Sequence, residues 1–346
     1  MSDSLSRATR AHGALLGLAA GDSLGIASDY HQSIRDTWVR GMLWRGSAEL
    51  DQQRVARPML PFAHSMGIST LNASDDIESA VVAAKVLIEC AASGSGQGAE
   101  ALFAGWQKHM LGEDVWSGIA ERSAIINTQR GYVPPITGND NPAFYTDSAI
   151  PAGVSIGLHC AGDPARAAAI ALDYASITHA EDGVWATAAM AVAMAELADG
   201  SPLEAALALA EEQIPASSWL GANVARAREI TDAASSAFAS IPELSAALNS
   251  REYSHGGVAP ETLPLAFSIV RLCEGRLSEA LLVSLAFGRK SDSLPAMVGA
   301  LVGAIDPAEL LGTSWDTQLD AVKGLFVPAL AGVSITELAA ALSSAP

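Results

Sequence analysis

The chain has 346 residues, of which half are hydrophobic and only 5% are aromatic, and its formal net charge is −18. Such an acidic chain repels phosphate backbones at long range, so the composition disfavours a nucleic-acid partner. The length allows a large core, and abundant alanine with few aromatic residues favours packed helices over a β-sandwich.

Apolar residues recur with helical periodicity along most of the chain. In chain order, the pattern predicts helices at 8–25, 76–93, 162–177, 181–200, 201–214, 259–275, 277–288, 291–305 and 334–345. The first helix is expected to run into a glycine-rich turn. Two others are expected to begin at a capping residue followed by proline, at Asp163 and at Ser201.

Three stretches, 30–72, 128–148 and 249–258, lack this periodicity and are predicted to be loops, which often carry function in compact helical proteins. No linker rich in proline and serine divides the chain, and no alternating pattern predicts a strand. We therefore expect a single all-α domain spanning residues 1–346.

The sequence shows no pattern typical of export or membrane insertion. Its N-terminus lacks the ordered regions of a secretory signal, and its longest apolar run is too short to span a bilayer. Cys90, Cys160 and Cys273 form no CxxC pair and are expected to be reduced, mostly buried thiols. These features predict a cytoplasmic protein with no membrane partner.

The sequence SDDIE, at 74–78, places adjacent acids at the mouth of a long apolar helix, and two interpretations are open. Asp75 and Glu78 have the spacing of a capping box and would complement the helix dipole. Alternatively, Asp75 and Asp76 hold a divalent cation, which prefers oxygen ligands. Polar residues also stand at three other helix ends that could converge on one cleft: 21–30, 178–183 and 287–304.

Five segments follow the motif order of a known family: GDSLG at 21–25, SDDI at 74–77, GNDNPAFYTDSAIPAG at 138–153, THAEDG at 178–183 and GRKSDSLPAMVGALVGA at 288–304. Together they resemble the ADP-ribosylglycohydrolases, whose motifs are GDALG, TDDT, a G-N-G loop, TH and GGDTDT. The resemblance covers about residues 11–305. It implies an all-α orthogonal bundle of many helices, two Mg²⁺ ions in a central cleft, and hydrolysis of an N-glycosidic bond to ribose.

The resemblance also implies roles for individual residues. The metal ligands would be Ser74, Asp75 and Asp76 in one group and Asp292 and Ser293 in a second. The catalytic residues would be Asp29, Asp75, Asp76 and Asp292, with Asp29 where the family often has a glutamate that closes over the site or helps proton transfer. Asp22 would support the fold beneath the metals. The residues expected to contact the substrate are Tyr132, Asn139, Phe144, Tyr145, His179 and Lys290.

Two departures from the family motifs affect the expected metal site. Lys290 stands at the first acid of the last motif, and Ile77 replaces the final hydroxyl of TDDT. A protonated lysine cannot ligate Mg²⁺. Lys290 could replace one cation among the acids, the protein could bind no metal, or Lys290 could turn to solvent and leave a weak site. We expect at most one tightly bound Mg²⁺.

The loop that resembles the phosphate-binding motif carries Asp140 and Asp147 and no arginine, which opposes a diphosphate. A smaller, uncharged N-riboside is therefore a plausible substrate besides an ADP-ribosylated protein side chain. The leading hypothesis is an N-glycosyl hydrolase that activates water with Mg²⁺. The alternative is a non-catalytic protein that binds a ribosyl ligand or has a structural role, with a degraded metal site.

Overall fold

The structure, a computed structural model, describes residues 5–32, 73–112, 114–248, 257–287 and 293–344, with residues 26–32 described by their backbone only. These residues form sixteen α-helices and, apart from two isolated bridges, no β-structure. The predicted all-α fold class is therefore confirmed.

The helices are, in chain order, α1 (Arg7–Gln32), α2 (Asp75–Ser93), α3 (Ala99–Met110), α4 (Ile119–Gln129), α5 (Ile136–Asn139), α6 (Ile150–His159), α7 (Pro164–Ala175), α8 (Glu181–Asp199), α9 (Leu203–Glu211), α10 (Trp219–Ala233), α11 (Ala237–Leu248), α12 (Ala259–Leu272), α13 (Leu277–Ser284), α14 (Ser293–Ile305), α15 (Ser314–Leu319) and α16 (Ile335–Ser343).

Helix α1 does not stop at GDSLG, so the predicted glycine-rich turn is wrong. The helix continues to Gln32, and its glycines serve close packing against α14 instead. A Cβ atom at Gly17 would collide with the carbonyl oxygen of Gly299, and one at Gly21 with the carbonyl oxygen of Pro295. The two backbones therefore touch, which fixes the start of α14 beside Gly21.

Helix starts were predicted with mixed success. At α7 the carboxylate of Asp163 accepts the backbone N–H of Arg166 at 3.0 Å, as the Asp-Pro signal predicts. The predicted cap at Ser201 is wrong, because α9 begins at Leu203 and Ser201 makes no cap bond. Its hydroxyl instead donates to Glu196 at 2.5 Å, which ties it to the preceding helix α8.

Several helices, among them α3, α4, α6, α10 and α11, were not predicted. Helix α6 shows the physical reason most clearly, because all ten of its residues are buried. A helix that is apolar on every side carries no amphipathic stripe, so its sequence lacks the pattern that identifies a surface helix.

The predicted loop at 128–148 is mostly irregular, although α4 reaches Gln129 and the short helix α5 lies within it. An antiparallel bridge joins Thr146 of this loop to Val258, just before α12. The other two loops were predicted at 30–72 and 249–258. Residues 33–72 and 249–256 of these ranges lie outside the described residues.

One cluster of buried apolar side chains extends from Ala11 on α1 to Leu342 on α16. Cys90, Cys160 and Cys273 are free and buried, as expected. Among the described helices, none combines the length and the hydropathy that a membrane crossing requires.

Candidate active site

Asp22, on α1, holds the first turn of α2. Its side chain is fully buried, and one carboxylate oxygen accepts the backbone N–H groups of Ser74 at 2.8 Å and Ile77 at 3.0 Å. The other oxygen accepts the Ser74 hydroxyl at 2.6 Å. Ser74 occupies the N-cap position but makes no cap bond of its own. The cap of α2 is therefore supplied from a different helix.

The carboxylates of Asp22, Asp75 and Asp76 form a cluster, in which one oxygen from each lies within 4.8 Å of the others. Burial and then the charge of Asp75 raise the pKa of Asp22 to about 7. Like charges this close repel one another, and a bound cation would relieve that repulsion. The arrangement is one that can hold a divalent metal ion.

The oxygen donors present suit Mg²⁺, which prefers carboxylate, hydroxyl and water ligands. The Ser74 hydroxyl lies 3.0 Å from a carboxylate oxygen of Asp75, at the edge of the cluster. Ser293, at the start of α14, is also buried, and Pro295 two residues later touches Gly21 beside Asp22. The first turns of α2 and α14 thus meet the same part of α1.

Three of the residues expected at the site have side chains outside the described part of the structure. Asp292 and Lys290 lie outside the described residues. Asp29 belongs to α1, but its side chain is not described.

Asp75 and Asp76 line a cleft of about 650 Å³. Its polar side chains include Glu121, Ser148 and Thr178, and its large apolar side chains are Trp106, Met110, Trp116, Phe326, Val82, Val327 and Tyr174. One wall is therefore acidic and hydroxylated, and much of the remaining lining is aromatic or aliphatic. This volume includes open solvent at the mouth of the cleft, and a lining that is part polar and part apolar is typical of a ligand-binding site.

Glu121, in the first turn of α4, was missed by the sequence analysis. Its carboxylate accepts the Ser148 hydroxyl at 2.6 Å. Burial raises the pKa of Glu121, and the charges of Asp75 and Asp147 raise it further. A cleft carboxyl that keeps its proton to higher pH is a candidate proton donor.

Glu78 does not cap its own helix, so the capping-box interpretation of this residue is wrong. Its buried carboxylate accepts the backbone N–H groups of Leu325 at 2.5 Å, Phe326 at 3.0 Å and Val327 at 2.7 Å. Glu78 also lines the cleft. It therefore joins the helix that carries Asp75 and Asp76 to a segment 247 residues away in sequence.

His179 is fully buried and does not belong to the cleft lining. Its Nδ1 lies 2.7 Å from the Thr178 hydroxyl and its Nε2 lies 2.9 Å from the Thr146 hydroxyl. Burial lowers the pKa of His179 to about 3, so the ring is neutral at physiological pH. In this structure its contacts join the THAEDG segment to the loop before α6.

Four other residues expected to contact substrate do not line this cleft either. Tyr132 and Asn139 are exposed, and the rings of Phe144 and Tyr145 pack edge to face with centroids 5.1 Å apart. None of these four is among the described residues that line the cleft. Asp147, expected to oppose a phosphate, is buried and accepts the Thr262 hydroxyl at 2.5 Å.

The missed residues of the cleft had no recognisable sequence signal. Trp116 lies in a short irregular segment between α3 and α4, and Phe326 lies near the C-terminus. Each is an isolated aromatic residue, and only tertiary folding brings the two to one wall. The five-motif comparison could not find them because neither belongs to a motif.

The fold and the cleft define an all-α protein with a cluster of acids at the start of a helix. The chain belongs to the ADP-ribosylglycohydrolase family, whose sequence profile matches residues 3–345. This confirms the resemblance seen in the five motifs.

A solved structure described as an ADP-ribosylglycohydrolase-related protein complex has a similar fold, with a TM-score of 0.55. It is 19% identical in sequence, and the match covers 98% of this chain and 99% of that one. At this identity the likeness concerns the fold alone. No curated protein sequence matches.

Proposed function

We propose that this chain hydrolyses the N-glycosidic bond of a ribosylated compound in the cleft at the start of α2. Membership of the family implies a glycohydrolase that acts on ribosylated substrates. The observation that carries the proposal for this chain is the cluster of Asp22, Asp75 and Asp76, two of which line an open cleft.

We propose a Mg²⁺ site built by Ser74, Asp75 and Asp76, completed by Asp292 and Ser293 from the start of α14. Two observations support it: the acids are clustered, and both helix starts contact α1 within the same turn. When bound, Mg²⁺ would supply Lewis-acid chemistry and positive charge that orients ribose hydroxyls and water.

In the proposed reaction, water attacks the anomeric carbon of ribose and gives up one proton to a carboxylate of the cleft, the C1′–N bond breaks, and the leaving nitrogen takes a proton. Positive charge develops on the ribose ring as the bond breaks, and the carboxylates of Asp75 and Asp76 stabilise it. Glu121 can hold the proton for the leaving nitrogen because its pKa is raised. Asp29 is a second candidate for proton transfer, at the far end of α1.

The alternative is a family member that binds a ribosyl ligand without hydrolysing it. Lys290 and Ile77 favour this alternative, since each replaces an oxygen ligand of the family motifs. In the structure Ile77 is buried in the core and only its backbone N–H meets Asp22, so its side chain supplies packing. We also propose a cytoplasmic location, for which buried free cysteines are typical.

The test combines thermal unfolding across a Mg²⁺ titration with hydrolysis assays on ADP-ribosyl-arginine, ADP-ribosyl-serine and simple nucleosides. Asp75→Asn and Asp76→Asn should each remove the Mg²⁺-dependent rise in melting temperature and lower hydrolysis by about 100-fold or more. Glu100→Gln is the matched control, since Glu100 is an exposed acid in the first turn of α3. Binding of ribosyl ligands with no hydrolysis of any substrate would support the non-catalytic alternative.

Lys290→Asp tests whether this lysine replaces a cation. If it does, the substituted chain should gain a second site, and its melting temperature should respond more strongly to Mg²⁺ than that of the unsubstituted chain. An unchanged response would show that Lys290 does not stand in for a metal.

A further inference from the structure

Trp116 and Phe326 form an aromatic wall in the cleft, in contrast to its acidic residues. Their ring centroids lie 4.5 Å apart with the planes at 59°. Trp116 is 62% exposed, and its neighbours Ile119 and Leu325 are 59% and 53% exposed. Of these three, Trp116 lines the cleft, and an exposed aromatic side chain in a cleft is typical of a binding surface.

Two hydrogen bonds, one to the backbone carbonyl oxygen of Phe326 and one from its backbone N–H, hold this aromatic wall in place. The backbone N–H of Trp116 donates to the carbonyl oxygen of Phe326 at 2.8 Å. The backbone N–H of Phe326 donates to the buried carboxylate of Glu78, one helical turn from Asp75. The wall is therefore fixed to the helix that carries the acids, which preorganises the cleft.

Ser117 supplies a polar group in this part of the cleft. The Ser117 hydroxyl is buried and has no hydrogen-bond partner among the described residues, and Ser117 lines the cleft directly after Trp116. Buried polar groups are normally hydrogen-bonded, so an unsatisfied hydroxyl beside an aromatic wall suits the polar edge of a ligand.

The charges of the described cleft lining disfavour one class of ligand. Asp75, Asp76, Glu78 and Glu121 line it, and no lysine or arginine does so among the described residues. A diphosphate requires cations or backbone N–H groups, and these carboxylates would repel it. A flat heterocycle without phosphate meets no such repulsion, and aromatic side chains bind such rings by stacking.

We propose that Trp116, Phe326 and Ser117 form a subsite for the heterocyclic leaving group of a nucleoside-like N-riboside. The ribose would lie toward Asp75 and Asp76. This inference rests on the proposed function for the orientation of the ribose, and it names the substrate class of that same site. Glu121, in the first turn of α4, lines the same cleft and would supply the proton to the leaving nitrogen.

The test measures binding separately from hydrolysis. Inosine affinity is measured by isothermal titration calorimetry for the unsubstituted chain, Trp116→Ala, Phe326→Leu and Trp219→Ala. Trp219 is a matched control, because it is 42% exposed but does not line the cleft. We expect Trp116→Ala to weaken inosine binding about tenfold, which equals ~1.4 kcal/mol, with a smaller loss for Phe326→Leu and none for Trp219→Ala.

Two outcomes of the binding measurement would overturn the subsite: no inosine binding at millimolar concentration, or equal binding by the unsubstituted chain and Trp116→Ala. Neither affects the proposed hydrolysis, which is tested by the dependence of hydrolysis on Asp75 and Asp76. Conversely, inosine binding that depends on Trp116, with no hydrolysis of any substrate, would support the subsite and reject the catalytic function. Preferential hydrolysis of ADP-ribosyl-arginine, unchanged in Trp116→Ala, would place the leaving group elsewhere and reject the subsite.

Discussion

The helix starts of α2 and α7 both carry aspartate but are stabilised differently. At α7 the cap is local, because Asp163 accepts the backbone N–H of Arg166 three residues later. At α2 the cap is distant, because Asp22 accepts the N–H groups of Ser74 and Ile77 from 52 and 55 residues away. The acids of α2 itself therefore serve other purposes.

This difference explains how a helix start can carry a reactive site. Asp75 and Asp76 line the cleft, and Glu78 binds the segment at 325–327. If these acids capped their own helix, their carboxylate oxygens would be bonded to the N–H groups of the first turn. A cap supplied from α1 satisfies the N–H groups of Ser74 and Ile77 without using a side chain of α2.

The largest expected effect is that of removing the distant cap. Asp22→Ala leaves the N–H groups of Ser74 and Ile77 buried without their acceptor, whereas the Ser74 hydroxyl can still donate to Asp75. At about 1–3 kcal/mol for an unsatisfied buried group, we expect a total loss of ~2–4 kcal/mol in the free energy of unfolding at pH 5. Urea denaturation in the presence of a chelator measures this loss. Asp22→Asn retains an acceptor oxygen and should lose less; an equal loss in both would contradict the capping role.

The next effect concerns Glu78. Glu78→Ala removes the acceptor of three consecutive backbone N–H groups, with an expected loss of about 2–3 kcal/mol. Amide hydrogen exchange should accelerate at Leu325, Phe326 and Val327 more than at α16, which lies further along the chain. Uniform acceleration throughout the C-terminal region would show that Glu78 stabilises the fold generally and does not specifically hold the aromatic wall.

The sequence predicted part of the local structure, although the cap expected at Ser201 was wrong and helices such as α3 and α6 were not predicted. Asp163 and Pro164 start α7 as expected, and α2, α8 and α14 lie close to their predicted ranges, since caps and periodicity depend on neighbouring residues. The family motifs also predicted the clustering of acids at 75–76. The glycines of α1 were misinterpreted because both turns and close helix packing require a missing Cβ, and the sequence alone does not distinguish them.

The features that were missed depend on contacts between distant residues. Nothing in SDDIE shows that Asp22 supplies the cap or that Glu78 binds amides near the C-terminus. Trp116 and Phe326 are separated by more than half of the chain, so their shared wall exists only after folding. Motif comparison therefore could not predict the aromatic wall, whereas it did identify Asp75 and Asp76 as candidate site residues.

The cost of removing the distant cap should also depend on pH. In the folded chain the pKa of Asp22 is raised to about 7 from 3.8, so between these values the folded state binds a proton that the unfolded state does not. The free energy of unfolding of the unsubstituted chain therefore falls as pH rises from 3.8 to about 7. Asp22→Ala lacks this titration, so the stability lost on substitution should shrink from pH 5 to pH 8, by at most ~1.4 kcal/mol per pH unit. A loss that grows with pH would contradict the buried, protonated state of Asp22.

The smallest expected effect is that of removing the local cap at α7. Asp163 is exposed, and Pro164 at the first helical position still favours the start of the helix. Water can replace the lost acceptor for the N–H of Arg166, so Asp163→Ala should lower the free energy of unfolding by only ~1 kcal/mol. Because α7 does not supply the acid cluster, the Mg²⁺-dependent rise in melting temperature should be the same as in the unsubstituted chain. Urea denaturation and a Mg²⁺ titration of this variant check both statements. A loss as large as that of Asp22→Ala would show that the two helix starts are equivalent, and an altered Mg²⁺ response would show that the metal effect does not come from the start of α2.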